Sequence, residues 1–260
     1  MAAVVVVLAA CGTKKNDNVL RVGMEAGYPP FNWSQKTDEN GAVKIEGTSE
    51  YAGGYDVEIA KRVAKELGKE LVIVKTEWDG LIPALQSGKI DAVIAGMSPT
   101  AERKQSIDFS DSYYQSQLVL VVKKGSKYDS ATTLNDFSGA KVTAQLNTFH
   151  YSVIDQIPGV VKQQAMDNFA AMRVALQSGT IDAYVSELPE GQSATAADSN
   201  FVMIQLKDGF QASVEDTDTA IGLKKNSDLK DKINEALKTI SKEERQKLME
   251  DAIKQQPSAQ

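Results

Sequence analysis

The chain has 260 residues, 42% of them hydrophobic and 25% charged, enough for one large or two modest globular units. A net charge of −6 and a pI near 5.0 argue against a nucleic-acid partner, which calls for a basic stripe. One cysteine and one histidine exclude an internal disulfide framework and a histidine-rich metal centre, and no cofactor is expected.

Met1 to Ala10 is almost wholly apolar and closes on Leu8-Ala9-Ala10-Cys11, after which the chain turns polar. An apolar core followed by small residues is a secretion signal, too short to span a bilayer as a helix. The Leu-Ala-Ala-Cys run resembles a bacterial lipobox, which implies that Cys11 is the lipidated residue. Residues 1–18 are thus expected to be signal and tether, and an exported protein held at the membrane surface is the economical expectation.

Val19 to Gly23 reads as a strand, broken by the Gly27-Tyr28-Pro29-Pro30-Phe31 turn. Residues 34–50 are polar and glycine-spotted, a surface loop or hairpin. Tyr55 to Leu67 carries Val57, Ile59, Ala60, Val63, Ala64 and Leu67 on one helical face, stopped by Gly68. Leu71 to Val74 is a buried strand, Leu81 to Gln86 a helix and Ala92 to Ala95 a further strand. Ser98 and Pro99 read as a helix start. Gln117 to Val122 is a continuous apolar strand suited to crossing between lobes. Lys141 to Ala144 opens a second strand-and-helix pattern, with helices over Phe149 to Ile157, Phe169 to Gln177 and Pro189 to Asp198. Strands follow near Val202 to Leu206 and Ala220 to Leu223, and Leu229 to Ile253 is a charged helical end.

The most informative pattern is internal. Ala84-Leu85-Gln86-Ser87-Gly88-Lys89-Ile90-Asp91-Ala92 returns as Ala175-Leu176-Gln177-Ser178-Gly179-Thr180-Ile181-Asp182-Ala183, differing only at Lys89 against Thr180. Two copies this far apart point to two similar lobes instead of a solenoid. In each, a helix stops at a glycine and an Ile-Asp-Ala start leads into a strand. Ligands of α/β sheets sit beyond the carboxyl ends of such strands, here Gly96, Met97 and Ser98 in one copy and Glu187 in the other. Alternating strands and helices predict an α/β chain of two lobes, each a mostly parallel sheet flanked by helices. The expected division is 19–116 with 215–260 for the first lobe and 117–214 for the second, joined by a two-strand hinge.

Several segments carry a family resemblance: Gly23-Met24-Glu25-Ala26-Gly27-Tyr28-Pro29-Pro30-Phe31, Gly53-Gly54-Tyr55-Asp56-Val57-Glu58, Trp78-Asp79-Gly80-Leu81-Ile82-Pro83, Gly96-Met97-Ser98-Pro99-Thr100-Ala101-Glu102-Arg103 and Ile107-Asp108-Phe109-Ser110. In this order the chain from about residue 19 to 250 resembles the polar amino-acid-binding proteins of bacterial ABC importers. The resemblance implies a type II periplasmic-binding fold that shuts on one free amino acid and hands it to a permease and its ATPase subunits. It implies a monomer at the outer face of the membrane, and no catalysis.

The same resemblance places residues. Arg103 and Ser98 would hold the ligand's α-carboxylate, the guanidinium by a bidentate grip, with Thr148 adding a hydroxyl. Glu187 and the Gly96 carbonyl would accept from the ammonium. Tyr28 and Trp78 would flank the ligand side chain, where aromatic faces attract a cation. Glu25 would reach its distal end, beside Met97 and Gln145. A carboxylate at Glu25 points to arginine, then lysine or histidine; a glutamine binder is the alternative. From another class, a cyclohexadienyl dehydratase-like enzyme shares the fold, but Tyr28, Trp78 and Glu187 favour binding. His150, the lone histidine, reads as a surface or supporting residue.

Overall fold

The computed structural model describes residues 18–257, so the expected signal and Cys11 lie outside the described residues. Two five-stranded sheets are built on one plan. In the first, Glu70–Lys75, Val19–Met24 and Ala92–Val93 run parallel, Asp218–Leu223 runs antiparallel to them, and Asp108–Gln115 closes the edge. In the second, Val161–Lys162, Lys141–Thr143 and Ala183–Glu187 run parallel, then Leu118–Lys123 antiparallel, then Phe201–Ile204. One strand in each sheet is reversed and the other four share a direction. The reversed ones are those nearest the crossings, because a chain that leaves one sheet and enters the other must arrive pointing the wrong way.

Helices Tyr55–Glu66 and Leu229–Lys238 cover the first sheet, and their apolar faces (Val57, Ile59, Ala60, Val63; Ile233, Ala236, Leu237) are buried in its core. A second cluster, including Leu120, Val122, Phe137, Val142, Ile154 and Val185, fills the other lobe. The polar stretch expected as a loop or hairpin contributes to a small antiparallel sheet of Gly27–Tyr28, Asn32–Gln35, Tyr51–Gly53 and Val43–Lys44. The chain passes between sheets after Gln115 and returns before Asp218, and the two passages are tied by Ser116 N–H donating to Thr217 O at 2.9 Å.

The sequence repeat is a structural repeat. Leu81–Ser87 and Phe169–Ser178 each end on a left-handed glycine, Gly88 at φ 80° and Gly179 at φ 77°. The serine before each glycine donates back to a carbonyl, Ser87 to Ala84 and Ser178 to Ala175, both at 3.0 Å. Asp91 then exchanges two hydrogen bonds with the Arg21 backbone, and Asp182 does the same with Lys141. Each aspartate thereby pins its strand in register against the neighbour.

Three expectations need correction. Ser98 and Pro99 do not open a helix. The helix there is the single turn Arg103–Ser106, and Thr100 supplies its capping hydroxyl to Arg103 N–H at 3.3 Å. The Ser98 carbonyl is instead turned toward the Arg103 side chain. The charged carboxyl-terminal stretch is two helices, Leu229–Lys238 and Lys242–Gln255, the second capped by Ser241. The expected helix over Phe149 to Ile157 is one α-turn, Phe149–Val153, continued as the 3-10 turn Ile154–Gln156.

Nothing lies within 4 Å of a Cβ added at Gly88 or Gly179, so alanine there meets only the backbone cost of a positive φ. Each of Gly88→Ala and Gly179→Ala should lower stability by about 1 kcal/mol in urea unfolding, alike for the two copies. Unequal losses would show that the two turns carry different tertiary strain.

Candidate functional site

The carboxyl ends of the central strands of both sheets meet. Glu25 follows Val19–Met24, and Gly96, Met97 and Ser98 follow Ala92–Val93. Gln145 follows Lys141–Thr143, and Glu187 is the last residue of Ala183–Glu187. Tyr28, Trp78, Gly96, Ser98, Arg103, Gln145 and Thr148 line one narrow cleft together with Phe149, His150 and Phe169. Met97 borders the adjoining mouth with Trp78, Asp79 and Asn147. Glu25 and Glu187 touch this ring through Gln145 and Tyr28. All ten residues expected from the sequence thus belong to one cluster.

The two sides are bonded together across the cleft. Tyr28 Oη donates to Glu187 Oε2 at 3.0 Å, both groups buried. Gln145 Nε2 donates to Glu25 Oε2 at 3.2 Å and also to the Asp167 carbonyl at 3.0 Å. Arg103 Nη1 donates to Ser98 O at 2.9 Å on its own side, and Nη2 to Asn147 O at 3.0 Å on the other. The Asn147 amide in turn reaches Asp79 Oδ1 at 2.8 Å. Asn147 sits at φ 55°, a left-handed position that asparagine tolerates. Thr148 donates to Gln145 O at 2.7 Å and precedes the Phe149–Val153 turn.

Burial dominates the electrostatics. It lowers the Arg103 guanidinium to about 10, while Glu102, Glu187 and Asp216 act in the opposite direction. Desolvation raises Glu25 to about 7 against the relief offered by the Gln145 amide, with Glu77 and Asp79 adding repulsion. Tyr28 is pushed well up by burial and by Glu187.

The aromatic pair expected to flank a ligand side chain is engaged otherwise. Tyr28 is stacked between Phe31 at 4.9 Å and Phe169 at 4.5 Å, so both its faces are covered. The Trp78 ring lies 5.0 Å from the Arg103 guanidinium. Sequence reading missed Phe169, Phe149 and Asn147 and placed His150 too far out. His150 is 6% exposed, with Nε2 3.5 Å from Glu187 Oε1. The available signal was its position two residues after Thr148, on the first turn facing the cleft.

Beneath the ring lies a polar support. Gly96 has φ 62°, and a Cβ there would come within 2.8 Å of the Tyr28 ring. Its N–H donates to Tyr113 Oη at 3.1 Å, and Tyr113 donates to Asp56 Oδ1 at 2.7 Å. Asp56 also accepts from Asn32 Nδ2 at 2.8 Å. Burial outweighs these bonds and raises Asp56 to about 7.

Against known proteins, the family described as bacterial extracellular solute-binding proteins, family 3, matches residues 20–255. A Campylobacter jejuni protein named as a probable histidine-binding protein is 36% identical over 191 residues, 69% of this chain and 68% of its own. The Bacillus subtilis arginine-binding extracellular protein ArtP is 30% identical, covering 90% of this chain and 87% of its own. A crystal structure of a Streptococcus pneumoniae amino acid ABC transporter substrate-binding protein bound to L-arginine superposes with a TM-score of 0.80. It is 28% identical and covers 91% of this chain and 94% of that one.

A raised folded-state value at Asp56 means that the carboxyl stabilises the fold on the acid side. That contribution is lost as pH rises from its ordinary 3.8 through about 7. Tyr113→Phe removes the donor to Asp56 and the acceptor of Gly96. Stability should fall by about 2–3 kcal/mol at pH 8, where the lost bond served an ionised group, and by about 1 kcal/mol at pH 5. Denaturant melts at the two pH values check the difference; equal losses would place the ionised form of Asp56 outside the folded state.

Proposed function

Because the chain belongs to the bacterial extracellular solute-binding proteins, family 3, we propose that it is the substrate-binding component of an ABC amino-acid importer, capturing a free basic amino acid. Arginine is the first choice, then lysine or histidine. The protein works outside the cytoplasm. In this reading residues 19–116 with 215–260 form one lobe and 117–214 the other, a lipid on Cys11 holds the monomer at the membrane face, and closure presents the loaded form to a permease and its ATPase subunits.

The observation that carries the reading is the charge pattern of the cleft. One half-buried guanidinium and two buried carboxylates converge on the cleft: Arg103, Glu187 and Glu25. An α-amino acid with a cationic side chain carries the complement, one carboxylate and two cations. Arg103 can pass its forked donors from neutral carbonyls to the ligand carboxylate, which accepts a charge-assisted pair. Glu187 can take the ammonium beside the Gly96 carbonyl, and Glu25 the distal cation. Binding on one lobe and then the other shifts the hinge toward closure by the difference in contacts that each state offers. The Phe149, Phe169 and Trp78 rings keep water from the charges and strengthen each contact.

A glutamine binder is the second reading, and one contact favours it. Glu25 already accepts an amide, that of Gln145, so a ligand amide would fit the same oxygen.

Calorimetry at pH 8 should give arginine the tightest dissociation constant among arginine, lysine, histidine, glutamine and glutamate. A ligand at about 100 times that constant adds roughly 2.7 kcal/mol, a melting shift on the order of 5–11 °C. Glu25→Gln should weaken arginine by about 10- to 100-fold and glutamine by only a few-fold. A glutamine preference in the unmodified protein would select the second reading. Arg103→Ala should weaken every amino acid by at least about 100-fold, since it strips the sole fixed cation assigned to the carboxylate; tight binding by this variant overturns the assignment.

A further inference from the structure

Glu187 is 1% exposed, and a buried carboxylate is costly unless its oxygens are met. One oxygen is met, Oε2 by the Tyr28 hydroxyl. Among the described residues Oε1 has no hydrogen-bond partner, and neither ring nitrogen of His150 has one. These two orphans face each other, His150 Nε2 standing 3.5 Å from Glu187 Oε1. The imidazole is held there by the Phe149 ring, 4.5 Å away, and lines the cleft. Arg103, the other cation of the ring, has its terminal nitrogens on Ser98 O and Asn147 O.

Resting on the reading above, we infer that His150 competes with the ligand's α-ammonium for Glu187, so that capture of the amino acid expels a proton from the cleft. Histidine is the side chain whose charge ordinarily changes between pH 5 and 8. In its cationic form His150 forms the ion pair with Glu187 that the geometry already prepares. Two cations cannot share Oε1 at low cost, so an arriving ammonium takes the oxygen and the imidazole returns to its neutral form. Affinity therefore falls as pH drops, by at most about tenfold per pH unit for one proton. The groups facing His150 are Glu187 on the strand Ala183–Glu187, Tyr28 from the opposite lobe and Arg103 across the cleft. Glu25 lies behind Gln145, and Asp56 behind Tyr113 and Gly96. Glu25 also exchanges a proton when a cationic side chain binds, with the same sign, and has to be removed from the measurement.

The test is calorimetry of arginine with Glu25→Gln and with the double variant Glu25→Gln, His150→Gln, from pH 5.5 to 8. Buffers of different ionisation enthalpy give the number of protons released. The single variant should release up to one proton per arginine at the acid end and lose affinity there. The double variant should release fewer protons and keep a flatter affinity, while Asp56 contributes equally to both. His150→Asn in place of Gln gives the same comparison if the first variant does not fold. Equal proton release by the single and double variants overturns the inference alone. Failure of the unmodified protein to bind arginine, lysine or histidine at pH 8 overturns the reading it rests on, and the inference with it.

Discussion

A guanidinium half-buried against neutral oxygens is the constraint on which the rest of the structure depends. Arg103 is held by the Ser98 and Asn147 carbonyls and by the face of Trp78. Carbonyls satisfy its hydrogen bonds without cancelling its charge, so it keeps its attraction for a carboxylate in surroundings that screen weakly. The cost is visible in the pull of burial on its proton affinity. That cost is carried by rigid neighbours: the capped turn at Thr100, the left-handed Asn147 and the stacked rings of Tyr28, Phe31 and Phe169. The two lobes touch through groups that a small zwitterion could replace one by one. Tyr28 to Glu187, Gln145 to Glu25 and Arg103 to Asn147 are all polar contacts across the cleft, which can be exchanged at little net cost.

The fold was legible where a local rule determines the geometry. The repeated Ser-Gly-x-Ile-Asp-Ala announces a helix stop and a strand start, and the structure uses the residues alike in both lobes: glycine left-handed, serine bonded back, aspartate tied to the neighbouring strand. It was illegible where tertiary context decides. Asp108–Gln115 is an eight-residue strand whose sequence is largely polar; it reads as a motif until the Asp218–Leu223 strand pairs with it. Val161–Lys162 is too short to show a period. Ser98-Pro99 satisfies the rule for a helix start, but the Ser98 carbonyl is claimed by a side chain five residues on.

The site divides in the same way. Arg103, Ser98, Gly96 and Glu187 follow from motif and topology, because the carboxyl ends of central strands must converge. Phe169 comes from a helix whose facing depends on how the lobes meet, and its sequence position carries no sign of it; for His150 the one sign is its place two residues after Thr148. Phe169 changes the role of Tyr28 most. With both faces stacked, Tyr28 acts less as a free aromatic wall than as a rigid carrier of one hydroxyl, aimed at Glu187.

The same reasoning explains why residue types alone leave arginine and glutamine so close. A carboxylate raised to about 7 by burial stands near the balance between its neutral and ionised forms. In the ionised form it calls for a cation; bonded to an amide, as it is to Gln145, it tolerates a neutral donor. What separates the two ligands is the electrostatic balance at Glu25, set by its burial, by the Gln145 amide and by the acidic neighbours Glu77 and Asp79, whose repulsion a cationic ligand relieves and a neutral one does not. In the proposed reading, selectivity for a basic amino acid is therefore a property of three carboxylates, Glu25 at the end of the first strand and Glu77 and Asp79 together on the turn around Trp78, only one of which touches the ligand.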